Sequence, residues 1–392
     1  MYLIILLLPL VLFFYRFSRD VFNPAFLLSS SFIFVSLIII WTSDILVYEF
    51  ELETQLFIFA NVVIFSFSSL SGALCLKGTS NQNYRLESRI SYNTLVIVFV
   101  TVASAYVILR FNGYGTSLSE IRQSLHEIRS EEVSEGHSQI QYLLTVIYVL
   151  WGWLLIAREN TSKNKLLLIL MLILLLAVSI ASTSKQATFM LFISTFFIMT
   201  KRRLKSILLF ALLGVCVFLF FSFVVRNNDS SNFILALKTY LTMYISSPTI
   251  AMQENYLLWD KLGDSNLLRF FAKLSGEEVP SSLHRPFVYV GVPTNVYTAY
   301  SDYVVYGWFV SIIVSSIHGF ICGVLWKLSY FSLWAKIFYS LFAYSIVFAF
   351  FHESFMTYLS LWLQILILAL VVSLSTRLIF WKKNIQGCER LQ

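Results

Sequence analysis

Long apolar runs separated by short polar gaps dominate the pattern along this chain of 392 residues. A membrane-spanning α-helix needs about 17–25 mostly apolar residues, and the runs predict about eleven such helices. The first run is short for this purpose and the seventh is marginal. The predicted spans cover residues 2–15, 25–42, 55–76, 93–109, 140–157, 165–181, 186–200, 206–225, 303–325, 334–351 and 357–380. The pattern therefore predicts an all-α polytopic membrane protein.

The charges of the gaps alternate from one gap to the next. The gaps after odd-numbered spans, together with the C-terminal tail, hold 18 of the 28 Lys and Arg residues and only four of the 21 acidic residues. Lys and Arg are concentrated in the cytoplasmic loops of membrane proteins. These gaps are therefore predicted to be cytoplasmic, with the N-terminus outside and the C-terminus inside.

Two gaps on the predicted outer side are much longer than the others. The first is an outer loop at residues 110–139. Within it, Ile121, Leu125 and Ile128 recur at helical spacing with charges between them. This spacing predicts a short amphipathic helix on the outer surface.

The second long gap divides the chain into three parts. Residues 1–225 would form the first eight membrane helices, residues 226–302 a large periplasmic loop, and residues 303–392 the last three helices and a cytoplasmic tail. The loop contains an apolar helical stripe ahead of Pro248 and a second helical stretch at about 252–274. Stripes punctuated by proline predict a folded helical cap over the bundle.

Composition agrees with a membrane protein. Hydrophobic residues make up 58% of the chain and charged residues 12%, about half the charged share of a soluble domain. The mean hydropathy is +0.76. The net charge of +7 does not indicate nucleic-acid binding, because the basic residues lie beside apolar runs rather than in a separate basic domain.

No cofactor or metal site is predicted. The four cysteines lack the spacing of a zinc site or a disulfide framework. The P-loop, GxGxxG and HExxH patterns do not occur, and the cytoplasmic gaps are too short for a nucleotide-sugar domain. Catalysis is therefore expected on the outer side, with a substrate that is already activated.

Four cations lie near the predicted outer mouths of spans, where the charge rule does not explain them. They are Arg110, Lys185, Arg226 and Arg285. Arginine and lysine side chains suit phosphate oxygens, so these residues are candidates for a pyrophosphate site. The alternative is that each side chain simply extends to the lipid headgroups.

The segment PTNVYTAYSDYVVYGWF, at the entry to the ninth span, is the densest polar and aromatic stretch. Asn295, Thr298 and Asp302 follow helical spacing and are expected on one face. Tyr297 and Tyr300 can present rings and hydroxyls nearby. An acid beside tyrosines near lipid needs partners, which weighs against the alternative of an aromatic belt with a helix cap.

Other titratable residues are candidates for proton transfer. His352 and Glu353 lie in the predicted outer turn between the tenth and eleventh spans, and His284 adjoins Arg285. A histidine or carboxylate near a cation cluster can act as a general base, although a lone loop histidine is more often simply solvated. His318, within the ninth span, is interpreted as a satisfied polar residue.

Several of these features together resemble a known family. They are the SxSK segment Ser182–Lys185, the arginine at the mouth of the next outward span, the large outer loop, and NVYTAYSDYVVYGW at the following span entry. In them the chain resembles the Wzy-type oligosaccharide repeat unit (O-antigen) polymerases, over Ser182–Phe309 in motif and nearly throughout in topology. The related O-antigen ligases carry a His before the Asn. Thr294 fills that place here, which favours polymerase over ligase.

The resemblance implies a GT-C-like architecture in the cytoplasmic (inner) membrane and a reaction between two glycans linked to undecaprenyl pyrophosphate. A hydroxyl of the acceptor repeat unit would attack the anomeric carbon of the growing donor chain, and undecaprenyl pyrophosphate would leave. No cofactor is needed for this reaction. The implied partners, besides the lipid bilayer, are a chain-length regulator and a flippase of the same pathway.

The resemblance also implies roles for individual residues. The pyrophosphate would be held by Lys185, Arg226 and Arg285. Three residues could accept the hydroxyl proton, and the choice among them stays open: Asp302, His284 and Glu353. Further substrate contacts are expected from Asn295, Tyr297, Tyr300, Arg110, Arg122 and Arg129.

Other functions are weighed against this one. An O-antigen ligase or another polyprenyl-linked glycosyltransferase is the nearest rival. A transporter or flippase is disfavoured, because transporters place ionisable groups or broken helices near the bilayer midplane, whereas the predicted span centres lack charged residues. A purely structural scaffold would leave the outer cations and the large loop unexplained.

Overall fold

A computed structural model defines the fold and describes residues 2–76, 92–111, 135–157, 162–182, 185–200, 214, 233–256, 267, 269–276 and 287–389. Within these residues the chain forms fourteen α-helices, one π-helix and a two-stranded antiparallel sheet. The first seven helices are α1 (Tyr2–Ser18), α2 (Pro24–Trp41), α3 (Leu52–Cys75), α4 (Tyr92–Phe111), α5 (Glu135–Ala157), α6 (Ser162–Ala181) and α7 (Lys185–Met199). The other seven are α8 (Phe233–Leu241), α9 (Ser247–Tyr256), α10 (Arg269–Ser275), α11 (Ala299–Val304), α12 (Trp308–Leu328), α13 (Leu333–Val347) and α14 (Leu359–Glu389).

Ten of these helices carry long apolar segments. Five are long and apolar enough to cross a membrane: α2, α3, α4, α5 and α12. Five have shorter apolar segments: α1, α6, α7, α13 and α14. All ten fall on spans predicted from the sequence, and the remaining predicted span, 206–225, lies outside the described residues except for Gly214. The protein is a multi-pass membrane protein, as predicted, while the number of spans and their sidedness stay predictions.

The turn between α1 and α2 joins distant parts of the chain. Asn23 caps α2, because its side-chain oxygen accepts hydrogen bonds from the N–H groups at the start of the helix. Asp20 is 3% exposed and accepts hydrogen bonds from Trp326 Nε1 at 2.9 Å and from the Tyr330 hydroxyl. The α1–α2 turn and the end of α12 therefore lie at one end of the bundle, in agreement with their shared predicted side.

The backbones of α3 and α12 approach each other very closely. A Cβ atom added at Gly319 would lie 2.3 Å from the carbonyl oxygen of Phe65, and one at Gly323 would lie 1.9 Å from that of Ser69. Only glycine permits this approach. Because the contacts advance in the same direction along both helices, α3 and α12 are parallel, which agrees with the predicted inward direction of both spans.

A buried amide joins the same two helices nearer their N-terminal ends. Asn61 of α3 is 1% exposed, and its Oδ1 atom accepts hydrogen bonds from the hydroxyls of Ser311 and Ser315, both at 2.8 Å. Hydrogen bonds of this kind stabilise helix pairs within membranes. The α3–α12 pair therefore combines backbone contact at one level with side-chain hydrogen bonding at another.

The described helices of the large loop begin with α8, which continues through a π-helix (Thr242–Ser246) into α9. Pro248 has no N–H group, so it cannot donate the helical hydrogen bond expected at its position. The preceding N–H group, of Ser247, donates to the carbonyl of Thr242 instead, which is the wider π pattern. One turn of the helix is therefore widened just before the proline, and the helix continues beyond it as α9.

Polar contacts made by Lys238 and Gln253 tie this loop to the turn between α2 and α3. Lys238 Nζ lies 2.8 Å from Asp44 Oδ2. The Gln253 side chain donates to the carbonyl of Glu49 at 2.8 Å and accepts from the N–H of Glu51 at 2.9 Å. The hydrogen bond from Lys238 is the main reason that the pKa of Asp44 lies below its usual value. Both gaps belong to the predicted outer side.

A short hairpin completes the described part of the loop. Strand β1 (Val288–Tyr289) pairs with β2 (Pro293–Thr294), and Gly291 turns between them with φ +105°. A Cβ atom at Gly291 would lie 2.0 Å from the carbonyl oxygen of Ile45. Glycine is therefore required both for the left-handed backbone and for the packing against the α2–α3 turn.

The predictions for the loops have different outcomes. The helix expected ahead of Pro248 is confirmed by α8. Of the helical stretch expected at 252–274, α9 covers the beginning and α10 the end, with residues 257–266 outside the described part. The amphipathic helix expected around residues 121–128 also lies outside the described residues.

Candidate functional site

The predicted site segment is held inside the bundle by its own backbone. After the hairpin, the Thr298 N–H donates to the carbonyl of Pro248 at 3.3 Å, and the Ala299 N–H donates to that of Ala349 at 2.8 Å. Helix α11 follows at once, so it lies between α9 and the segment that ends α13. Two non-helical segments, residues 295–298 and 348–358, thereby come together.

One predicted relation within this segment is wrong. Asn295, Thr298 and Asp302 were expected on one helix face, but α11 begins only at Ala299. Asn295 lies ahead of the helix, just after β2, where the backbone belongs to no helix. The hairpin carries the chain into the bundle in an extended form, and it displaces Asn295 from the face that Asp302 occupies.

The aromatic and acidic residues of the segment are buried. Tyr297 is 0% exposed, Tyr300 3% and Asp302 2%. The Tyr300 ring is stacked on Phe32, with centroids 5.5 Å apart and an interplanar angle of 17°, and it meets Phe57 edge to face at 6.1 Å. In this arrangement the tyrosine rings pack within the protein, and sugar stacking by Tyr297 and Tyr300 stays a prediction.

Glu353 is the best-defined polar centre of the site. Its Oε1 atom accepts hydrogen bonds from the Tyr303 hydroxyl at 3.1 Å and from the N–H groups of Phe355 and Met356, both at 2.8 Å. Its Oε2 atom accepts from the N–H of Thr357 at 2.6 Å. The residue is 3% exposed. Backbone N–H groups therefore balance its charge, and the carboxylate anchors α11 to the turn before α14.

A small cavity lies beside Glu353. Its volume is about 10 Å³, the space of roughly one water molecule. The polar residues that line it are Tyr300, Tyr303, Ser315, His318, Ser345, Glu353 and Ser354. His318 Nε2 and Ser345 Oγ are 3.1 Å apart, and the His318 ring is stacked on Phe355 at 4.2 Å. The prediction that His318 is a satisfied polar residue is confirmed.

A second polar cluster, which the sequence did not reveal, surrounds His352. The His352 ring lies 5.9 Å from that of Tyr344 and 5.7 Å from that of Tyr358. The Tyr148 phenol interacts electrostatically with those of Tyr106 and Tyr358. Four elements contribute to this cluster, and only the adjacency of His352 to Glu353 gave any signal in the sequence.

Arg110 follows Tyr106 on α4. It lies in the last turn of α4, one turn after Tyr106, and is 1% exposed. A buried guanidinium is suited to an anionic ligand such as a phosphate. The predicted contact between Arg110 and the acceptor substrate stays a prediction.

The side chains of six other predicted site residues lie outside the described part of the chain. Lys185 begins α7, but its side chain lies outside the described part of the chain. Five more residues lie outside it entirely: Arg122, Arg129, Arg226, His284 and Arg285. Among the described residues, no group of three or more His, Cys, Asp or Glu side chains could hold a metal ion.

Comparison with known proteins gives one clear similarity. The chain is 34% identical over 369 residues to an Escherichia coli (strain K12) protein named "Putative O-antigen polymerase", and the match covers 91% of this chain and 93% of that protein. No family model matches the chain, and no solved structure matches it.

Proposed function

Because this chain belongs to the Wzy-type O-antigen polymerase family, we propose that it joins oligosaccharide repeat units into O-antigen polysaccharide. Its role is O-antigen polymerisation, and its chemistry is glycosyl transfer. The observation that carries the proposal is the 34% identity over 91% of the chain. The bundle of apolar helices supports it, since a lipid-linked substrate requires an enzyme within the membrane.

The proposed substrates are two glycans linked to undecaprenyl pyrophosphate in the outer leaflet. A hydroxyl oxygen of the acceptor repeat unit forms a bond with the anomeric carbon of the donor. The bond from that carbon to the pyrophosphate oxygen breaks, and undecaprenyl pyrophosphate leaves with the electron pair. The leaving group is already activated, so no nucleotide is consumed. Alignment of two tethered reactants could supply up to about 7–11 kcal/mol of the barrier reduction.

The cations predicted at the outer mouths of the spans have a defined task in this reaction. Lys185, Arg226 and Arg285 stabilise the negative charge that develops on the departing pyrophosphate. Arg110, which is buried in the last turn of α4, contacts the acceptor glycan or its phosphate. Arg122 and Arg129 of the outer loop extend the same acceptor site.

The proton of the attacking hydroxyl must pass to a base. Glu353 already accepts four hydrogen bonds, and this arrangement favours an anchoring role for its carboxylate. We therefore favour Asp302 or His284 as the base. The two candidates lie in different surroundings. Asp302 belongs to the buried helix α11, whereas His284 adjoins the proposed pyrophosphate ligand Arg285 in the sequence.

The proposal also fixes a location and partners. The reaction takes place at the periplasmic face of the inner membrane, with eleven spans, the N-terminus outside and the C-terminus inside. It requires neither a metal ion nor another cofactor. A flippase supplies the repeat units, and a chain-length regulator sets the length of the product.

The test is the profile of surface polysaccharide from a strain that lacks the gene. We expect the ladder of long chains to disappear, with lipid A-core that carries one repeat unit left behind, and complementation to restore the ladder. Bare core with accumulated lipid-linked polymer would identify a ligase instead. An unchanged ladder would refute both activities.

A second test addresses the pyrophosphate site. In the complemented strain, Lys185→Ala and Arg226→Ala should shorten or abolish the ladder at normal protein level. The matched controls are Lys201→Ala and Arg202→Ala, which remove the same side chains from the predicted cytoplasmic side and should leave the ladder unchanged. Equal ladders for all four variants would refute the assignment of the outer cations.

A further inference from the structure

The small cavity beside Glu353 contains unsatisfied polar groups. Tyr300 is 3% exposed and Ser354 1% exposed, and both residues line the cavity. Within the described part of the chain, neither the Tyr300 hydroxyl nor Ser354 Oγ has a hydrogen-bond partner. A buried hydroxyl without a partner carries a desolvation penalty, so two such groups in one cavity require an explanation.

The other walls of the cavity supply complementary groups. Glu353 Oε1 accepts three hydrogen bonds, whereas Oε2 accepts one, from Thr357. A carboxylate oxygen has a second lone pair, so Oε2 keeps acceptor capacity. Glu353, Tyr300 and Ser354 all line the cavity, so its walls include a carboxylate that can accept a further hydrogen bond and two residues whose hydroxyls can donate or accept.

The size of the cavity limits its occupant. About 10 Å³ admits roughly one water molecule, and a buried water usually makes two to four hydrogen bonds. Apolar cavities of this kind stay dry, but this one is lined by seven polar residues among its twelve. A sugar or a phosphate would not fit in this volume.

A small cation would also fit the volume but suits the charges less well. Three backbone N–H groups and one phenol already point at the Glu353 carboxylate. Their positive ends compensate the negative charge and would repel a cation at the same oxygens. A neutral molecule that both donates and accepts fits better.

We infer that one ordered water molecule occupies this cavity and hydrogen-bonds to Tyr300, Ser354 and Glu353. The water joins α11 to the turn that precedes α14, beside the direct hydrogen bond between Tyr303 and Glu353. It thereby holds the predicted substrate segment in place. The inference rests on the cavity alone and holds whether or not the proposed reaction is correct.

The test is whether removal of a cavity hydroxyl lowers or raises the thermal unfolding midpoint. The variants Tyr300→Phe and Ser354→Ala of the full chain, in detergent, each remove one hydroxyl and little else. If the water is present, each variant loses a hydrogen bond, so the thermal unfolding midpoint should fall. The midpoint of the double variant should fall by less than the sum of the two single falls, because both changes remove hydrogen bonds to the same water molecule. If the cavity is dry, each change removes an unsatisfied group, and the midpoint should stay or rise.

A matched control separates this effect from loss of any buried hydroxyl. Ser36 Oγ is likewise buried without a hydrogen-bond partner among the described residues, and Ser36 does not line the cavity. Ser36→Ala should therefore leave the midpoint unchanged or raise it. A fall equal to that of Ser354→Ala would overturn the inference.

Two further measurements identify the occupant. An experimental density map of the wild-type chain should show a single peak within hydrogen-bonding distance of Tyr300 and Ser354, and an empty cavity would overturn the inference. The unfolding midpoint should be the same in sodium chloride and choline chloride. A sodium-dependent rise that Glu353→Gln abolishes would identify a cation and overturn the assignment of water.

Discussion

The glycine contact between α3 and α12 supports a quantitative prediction for Gly323→Ala. The added Cβ atom would lie 1.9 Å from the carbonyl oxygen of Ser69, whereas non-bonded heavy atoms are most stable at about 3.5–4.0 Å. The helices must therefore separate locally by about 1.6 Å or more. The atom in the way belongs to a backbone, so no side-chain rotation can relieve the clash.

The energetic result has two parts. Overpacking in a well-packed core typically costs about 1–3 kcal/mol, and separation of the helices also weakens dispersion contacts along neighbouring turns. Against this, alanine is favoured over glycine within a helix by up to about 1 kcal/mol. We expect a net destabilisation of about 1–2 kcal/mol, which is the middle of the overpacking range, about 2 kcal/mol, less up to about 1 kcal/mol for the helix preference of alanine. A second change at Gly319 should cost less than the first, because the two sites share one interface.

The assay is reversible unfolding of the purified chain in detergent, followed by tryptophan fluorescence. Gly214→Ala is the matched control, since among the described residues a Cβ atom there would meet only Phe192, at 4.0 Å. We expect this control to be as stable as the wild type or slightly more stable. If Gly323→Ala were as stable as Gly214→Ala, the close approach of the two backbones would be refuted.

Three further predictions concern the loops. Gly291→Ala should destabilise the hairpin by about 1–3 kcal/mol, since φ is positive there and a backbone carbonyl blocks the Cβ position, and limited proteolysis should then cleave the large loop sooner. The lowered pKa of Asp44 means that its ion pair with Lys238 contributes stability above the usual carboxyl pKa of 3.8 and loses it as pH falls further. Lys238→Gln should therefore reduce the acid sensitivity of the unfolding midpoint. Glu353→Ala should lower the free energy of unfolding by about 3 kcal/mol or more, because it leaves three backbone N–H groups unpaired and each costs about 1–3 kcal/mol when buried. Glu353→Gln keeps one oxygen acceptor and should lower it by less in the same unfolding assay.

The membrane helices were predictable because each depends on a local property. An apolar run of sufficient length must satisfy its own backbone hydrogen bonds within lipid, and only a helix or a closed barrel does so. The predicted spans at 25–42 and 303–325 accordingly lie within about five residues of the bounds of α2 and α12. Helix ends are less certain, because capping side chains and turns decide them.

The contacts of the site were less predictable because they join residues far apart in the chain. The hydrogen bond between Tyr303 and Glu353 spans 50 residues, and that between Trp326 and Asp20 spans 306. No periodicity encodes such pairs. The sequence placed Glu353 in the turn between the tenth and eleventh predicted spans. It did not predict that the carboxylate accepts hydrogen bonds from the following N–H groups, because that depends on the backbone conformation of the turn. Asn295 was misplaced because the hairpin delays the start of α11.

The pairing of α3 with α12 has a consequence for synthesis of the protein. Asn61 and Ser315 are 254 residues apart, and translation proceeds at roughly 5–20 residues per second. The third helix therefore waits roughly 13–50 s in the membrane before its partner is made. During that interval its carbonyl oxygens and its buried Asn61 face lipid or another helix. Chains that end before residue 308 never acquire this partner, and we expect them to be recognised and degraded as incomplete.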